Sequence, residues 1–166
     1  MKIAIFSDSH DNVPNLNKFF DWVNKNKIQK VIFCGDLCAP VMLREIIMPK
    51  YKGDLYMVFG NVADRINLAK IVSEYDNVTH FGDQGEVEID AVKIGFVHYP
   101  DQAEEMAKSG QFDFVFHGHT HKPWVNAISS CQVANPGTLA GLFNKATFAV
   151  LDTKTGKLDL KLVEKL

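Results

Sequence analysis

From Lys2 to Tyr75 the apolar positions alternate between two textures. Lys2–Phe6 is a short apolar run of the kind a buried strand gives, and Leu16, Phe19, Phe20 and Val23 then follow the i, i+3, i+4, i+7 spacing of one helix face, with Pro14 suited to that helix's first turn. Val31–Phe33 and Leu55–Phe59 read as further strands. Between them Leu43–Ile47 predicts a helix ending near Pro49, and Leu68, Ile71, Val72 and Tyr75 repeat the helical spacing. This βαβαβα run predicts a parallel sheet with right-handed crossovers. Beyond about residue 77 the period shortens: Val87 and Ile89 alternate with Glu86, Glu88 and Asp90, and Val92–Val97 follows closely enough to pair with them as a hairpin. Antiparallel strands are expected to dominate from there, with a weak helix over Ala103–Lys108, strands at Phe112–Phe116 and Pro123–Ile128, and a closing hairpin of Thr147–Leu151 with Leu158, Leu160 and Leu162. No internal repeat, linker or low-complexity segment interrupts the pattern.

Composition narrows the class. With 166 residues, 46% of them apolar and 23% charged, one compact domain over 1–166 is expected, and disordered or collagen-like chains are excluded. The formal net charge of −2, with no block of Lys or Arg, provides no sequence-independent grip on a nucleic-acid backbone. No apolar run approaches the roughly 18 residues that a membrane span needs. The three cysteines, Cys34, Cys38 and Cys131, are an odd number at neither zinc nor redox spacing and read as reduced thiols, so a cytoplasmic location is expected. The chemistry is left to histidines and carboxylates.

Those residues cluster at the ends of the apolar strands. Lys2–Phe6 runs into Asp8 and His10, Val31–Phe33 into Gly35-Asp36, Leu55–Phe59 into Gly60-Asn61, Ile94–Val97 into His98, and Phe112–Phe116 into Gly118-His119-Thr120-His121. Functional loops of α/β sheets gather beyond the carboxyl ends of the strands, so the five segments are expected to converge on one cleft. Each alone has an ordinary alternative: Asp8 as a helix cap, Asp36 as the start of the next helix, Asn61 as a turn residue, His98 as a hydrogen-bonded structural histidine, and the histidine run as a polar strand edge. Together Asp8, His10, Asp36, Asn61, His98, His119 and His121 offer seven oxygen or nitrogen ligands and no thiolate, a set that suits manganese, iron, zinc or nickel. His117 lacks a preceding glycine to turn it toward the site and is left out. Seven donors exceed one tetrahedral site. If Asp36 bridges, two ions each receive four, and their +4 against −2 from the aspartates leaves about +2 for a hydroxide and an anionic substrate such as a phosphate.

In composition and order these motifs, D-x-H at Asp8 and His10, G-D at Gly35 and Asp36, G-N at Gly60 and Asn61, the strand-end His98, and G-H-x-H at Gly118–His121, resemble the calcineurin-like metallophosphoesterases. The opening Ser7-Asp8-Ser9-His10 and the N-P-G-T run at Asn135–Thr138 resemble its small bacterial and archaeal phosphodiesterase subgroup. The likeness runs from residue 2 to about 163. It implies a four-layer αββα sandwich, an α/β (α+β) fold of mixed sheets with helices on both outer faces. It also implies two divalent metals, manganese first, one held by Asp8, His10, Asp36 and His121 and the other by Asp36, Asn61, His98 and His119, with Asn61 also facing the substrate. The implied reaction is hydrolysis of a small phosphoester, a diester sooner than a monoester, by in-line attack of a hydroxide bound to the dinuclear centre.

Two positions depart from the family pattern. Many relatives carry a histidine after the G-N asparagine, where it protonates the leaving group; here that place is held by Val62, and Asp64 is displaced by one from the acidic position of the subgroup. General acid catalysis contributes typically about 10² to 10⁴ in rate, so slow turnover is expected except where the leaving group is already acidic or a coordinated water substitutes. Tyr99 stands where relatives have glycine, either narrowing the pocket and offering a hydroxyl or only packing against the loop. Asp11 replaces a common glycine and adds a negative charge nearby. The competing reading is a catalytically weak or inactive interaction scaffold, since a eukaryotic relative of this small fold serves as a retromer subunit with an incomplete site. The complete ligand set here favours the enzyme. Self-association through the sheet edges is left open.

Overall fold

The computed structural model describes residues 1–166. In chain order its elements are β1 (Lys2–Phe6), α1 (Val13–Lys25), β2 (Lys30–Phe33), a π-helical turn (Leu43–Ile47) leading into the short α2 (Met48–Lys50), β3 (Asp54–Met57), α3 (Arg65–Val72), β4 (Val78–His80), β5 (Gln84–Ile89), β6 (Val92–Val97), α4 (Pro100–Lys108), β7 (Phe114–Phe116), β8 (Trp124–Ile128), β9 (Cys131–Asn135), β10 (Thr147–Asp152), β11 (Lys157–Leu162) and a 3-10 turn, Val163–Lys165. The strands form two mixed sheets, ordered β11-β10-β1-β2-β3-β4 and β5-β6-β7-β9-β8.

Side-chain alternation along the central strands builds the layers. In β1 and β2, Ile3, Ile5 and Ile32 face the second sheet, while Ala4, Phe6, Val31 and Phe33 face outward to α1, the π-helical turn, α2 and α3. Phe6 and Phe33 stack at 4.3 Å between ring centroids, and the buried face of α1 (Leu16, Phe19, Phe20, Val23) covers them. On the second sheet Ile94, Phe96, Phe114 and Phe116 face inward, and Val97, Val115 and Val133 pack against Ala103, Met106 and Ala107 of α4. The result is the four-layer αββα sandwich that the resemblance implies. Each fully buried Ile, Leu or Phe contributes on the order of 1.5–3 kcal/mol, so the inter-sheet layer is a major source of stability.

Several expectations are corrected. The first sheet is parallel through β1-β2-β3, as predicted, and β4 extends it in the same direction; beyond residue 77 the pairs β5-β6, β8-β9, β1-β10 and β10-β11 are antiparallel as expected, but β6-β7 and β7-β9 are parallel. The short β4 and β9 are absent from the sequence pattern because Val78-Thr79-His80 and Cys131–Asn135 carry too few apolar residues to make a run. The strand expected at Leu55–Phe59 ends at Met57, and the one expected at Phe112–Phe116 begins at Phe114. Asp64 is the N-cap of α3, its side chain accepting a hydrogen bond from Asn67 N at 3.1 Å, which accounts for it without a role in catalysis. No helix is long and apolar enough to cross a membrane.

Candidate metal centre

Parallel β1, β2 and β3 in one sheet, and parallel β6 and β7 in the other, end on the same side, and the loops that leave them meet at the seam between the sheets. Backbone hydrogen bonds join these loops to one another. Asp8 N donates to Gly35 O at 2.9 Å, His10 N to Asp36 O at 3.1 Å and Gly118 N to His98 O at 3.1 Å. Asp8, His10, Asp36, His119 and His121 all have left-handed backbone, with φ of 52, 38, 68, 69 and 59°. Such conformations persist only where the surroundings over-determine them, and they cluster at functional sites. Asp and His tolerate them better than most residues do. The motif glycines answer to the same crowding: a Cβ on Gly60 would stand 1.9 Å from Asp36 Oδ1, and one on Gly118 1.9 Å from Ser7 Oγ and 2.6 Å from Asp8 Oδ2.

All seven sequence-predicted donors come together. Ligand atoms of Asp8, His10 and His121 lie within 4.8 Å of one another, and so do those of Asp8, Asp36 and His98. Asp36 Oδ2 is 3.6 Å from His10 Nε2 and 3.5 Å from His98 Nε2, facing an imidazole of each group. Asn61 Oδ1 lies 2.9 Å from His98 Nε2 and 2.9 Å from His119 Nδ1. The centre is graded in depth, with Asp8, Asp36 and His98 buried, His10 half-buried, and Asn61 and His119 exposed at the rim. A surface hollow along Glu86, Glu88, Lys93 and Gln111 lies elsewhere and carries no such constellation.

The donor chemistry fits a cation. His98 Nδ1 donates to Cys34 O at 2.8 Å, and burial holds the His98 pKa down, so the imidazole is neutral and Nε2 carries a lone pair. That lone pair faces the Asn61 Oδ1, itself only an acceptor, at 2.9 Å. Two acceptors aimed at each other are repulsive alone and complementary around a positive ion. His121 repeats the arrangement: Nδ1 donates to Leu142 O at 3.4 Å, which turns Nε2 toward Asp8 Oδ1 at 3.3 Å. Burial pushes the Asp8 carboxyl up to about 7, and neighbouring Asp36 adds in the same direction. A divalent cation among these oxygens reverses that cost.

Comparison with known proteins agrees with the geometry. The sequence model of the calcineurin-like phosphoesterase superfamily domain matches residues 1–156. The chain belongs to this superfamily. A protein named phosphodiesterase from Methanocaldococcus jannaschii is 33% identical over 158 residues, spanning 93% of this chain and 94% of that protein. The solved structure of an archaeal phosphodiesterase superposes with a TM-score of 0.88 at 29% identity, over 98% of this chain and 99% of that one. Vps29 from Entamoeba histolytica, in a structure complexed with zinc, has the same fold, with a TM-score of 0.69 at 18% identity over 97% of each chain.

Within this calcineurin-like domain the departures from the family pattern find physical roles. Val62 occupies the usual general-acid place, half exposed, and its N–H donates to Asp36 Oδ1 at 3.2 Å, so it offers a backbone donor and no titratable side chain. The Tyr99 ring packs against His98 and His119 at 5.1 and 4.8 Å between centroids, bracing both. Asp11 is held by the loop after β2, accepting hydrogen bonds from Cys38 N at 3.0 Å and Ala39 N at 2.8 Å, so its charge is partly answered by backbone donors. His117 lies outside the cluster, fully buried, with Nδ1 donating to Gly118 O at 3.0 Å.

Sequence reasoning missed the residues that hold the candidate donors in place. Ser9 Oγ donates to Asp36 O at 3.1 Å and Thr138 Oγ1 to Asp8 O at 2.9 Å. Buried Asn135 donates to Gly118 O at 2.8 Å and Thr120 Oγ1 at 3.0 Å and accepts from Gly137 N at 2.7 Å, which locks the loop that carries His119 and His121. The N-P-G-T run was the one available signal for Asn135 and Thr138.

Proposed function

We propose that this chain is a divalent-metal-dependent phosphodiesterase acting as one domain, with one ion held by Asp8, His10, Asp36 and His121 and a second by Asp36, Asn61, His98 and His119. The observation that carries this reading is the place of Asp36 Oδ2, within 3.6 Å of His10 Nε2 and 3.5 Å of His98 Nε2, which gives one carboxylate oxygen a partner in each group. When bound, the ions polarise phosphoryl oxygens and lower the pKa of a coordinated water to about 7. Asp8 and Asp36 contribute −2 against the +4 of two ions, leaving a positive floor that attracts a phosphoester anion. Asn61, exposed at the rim, is placed to meet the substrate as well as an ion. The oxygen and nitrogen donor set suits manganese, iron, zinc or nickel, and the resemblance to the family puts manganese first among them.

With Val62 in place of a proton donor, diesters with an acidic leaving group are the substrates this chain handles best. Its likeness to proteins named phosphodiesterases supports the same substrate class. Reduced thiols and the absence of a membrane-crossing helix support a cytoplasmic enzyme. Its likeness to Vps29 supports the fold alone, and the full donor set leaves the enzyme as the better reading than the scaffold. The test is hydrolysis of bis-p-nitrophenyl phosphate and p-nitrophenyl phosphate with added Mn²⁺, repeated with chelator. We expect manganese-dependent turnover, faster on the diester and lost on chelation; no chelator-sensitive turnover of either ester would overturn the proposal.

A further inference from the structure

The loop between β9 and β10 carries an aromatic side chain outside the donor set of the centre. Phe143 is 93% exposed, the most exposed of the large apolar residues, and its backbone is left-handed with φ of 63°. For a bulky residue that conformation is a genuine outlier, and an outlier of this kind points toward a functional constraint. A phenyl ring held out in water gains nothing from burial.

The loop is also not free to wander. At its base Leu139 N and Ala140 N donate to Ser7 O at 2.9 Å and Asp8 O at 3.0 Å, so it hangs from the backbone that presents the Asp8 carboxylate. Asn12 Nδ2 donates to Ala140 O at 2.9 Å and Asn15 Nδ2 to Leu139 O at 2.8 Å, tying the same base to the start of α1. At its tip Leu142 O accepts the hydrogen bond from His121 Nδ1, and the Phe143 ring lies 5.7 Å from the His121 ring between centroids, tilted by 34°. Leu142 itself is 44% exposed beside it. A rigidly based apolar surface therefore stands at the lip of the centre on its His121 side. The other aromatic near the centre, Tyr99, already packs against His98 and His119, so Phe143 is the ring whose outer face remains open.

We propose that Phe143 is a specificity-determining residue, its ring stacking on a planar aromatic or heteroaromatic group, such as a nucleobase or an aryl ester, carried by the non-leaving arm of the diester. This rests on the phosphodiesterase reading. Stacking on an aromatic face tolerates every base and needs no hydrogen-bonding partner, which matches the apolar pair, Leu142 and Phe143, that stands beside His121. The preorganised loop lowers the ordering cost of the contact.

The test compares two esters with one leaving group: thymidine 5′-(p-nitrophenyl phosphate) and methyl p-nitrophenyl phosphate, in Mn²⁺. In Phe143→Ala the ratio of kcat/KM for the thymidine ester over the methyl ester is expected to fall about tenfold, mainly through KM, and Phe143→Trp is expected to restore it. An unchanged ratio in Phe143→Ala would overturn the proposal, whether both rates fall together, as for a ring that only braces His121, or neither moves. Calorimetric titration of the unreactive thymidine 5′-phosphate and methyl phosphate reads the same contact without turnover. The unsubstituted protein is expected to bind the thymidine compound about tenfold more tightly and Phe143→Ala to lose that margin; no margin in the unsubstituted protein would overturn the stacking. Failure of the parent reading shows separately, as no hydrolysis of either ester by the unsubstituted protein.

Discussion

His117 and His119 stand two positions apart and end on opposite sides of one sheet. His117 keeps the alternation of β7, so its ring follows Val115 toward the α4 layer and lies 5.6 Å from Trp124 between centroids. His119, after Gly118, takes a φ of 69° and turns into the centre. His119→Ala is therefore expected to lower both Mn²⁺ affinity and kcat/KM by at least about 100-fold, measured by calorimetry and diester hydrolysis. His117→Ala is expected to keep its Mn²⁺ affinity and to lose about 1–3 kcal/mol of stability in a denaturant titration; equal losses of affinity in the two variants would show that the ligand histidines are misassigned. Residue types were legible at this scale because a metal site needs side chains of particular chemistry at strand ends. The partners of those side chains were not, because Ser9, Thr138 and Asn135 act through backbone atoms that only the folded loops bring near.

At the scale of the element, the centre depends on loops locked by neighbours distant in sequence. Asn135, at the end of β9, carries two hydrogen bonds into the loop after β7, to Gly118 O and Thr120 Oγ1, and so ties that loop to a strand outside it. Asn135→Ala is expected to weaken Mn²⁺ binding by about 10- to 100-fold with the far-ultraviolet circular dichroism spectrum unchanged; affinity equal to that of the unsubstituted protein would mean that the loop holds its own shape. The first half of the chain was readable as strands and helices because its apolar runs and helical faces are long and regular, as in Lys2–Phe6 and Leu16–Val23. The second half was less so. β4 and β9 are three and five residues long and mostly polar or small, and the direction of β6, β7 and β9 is set by α4 and the β8-β9 hairpin returning across the sheet, which no local pattern reports.

At the scale of the whole molecule, the fold converts five scattered motifs into one centre. Two sheets packed through Ile5, Ile32, Phe96 and Phe116 bring the carboxyl ends of β1, β2, β3, β6 and β7 to a common edge, and their parallel directions place every motif on the same side. Asp8 and His121 are separated by most of the chain and yet lie 3.3 Å apart, which only the closure of the two sheets achieves. The expectation that the strand-end segments converge is thus met by the arrangement of layers and not by any single element. What remains is whether the centre takes the ions its donors are arranged for. Crystals of the protein grown with saturating Mn²⁺, with anomalous scattering recorded at the manganese edge, test this directly: two manganese peaks per chain are expected, one on each side of Asp36 Oδ2, and a chain with none, with one, or with ions bound away from Asp36 would overturn the two-ion assignment.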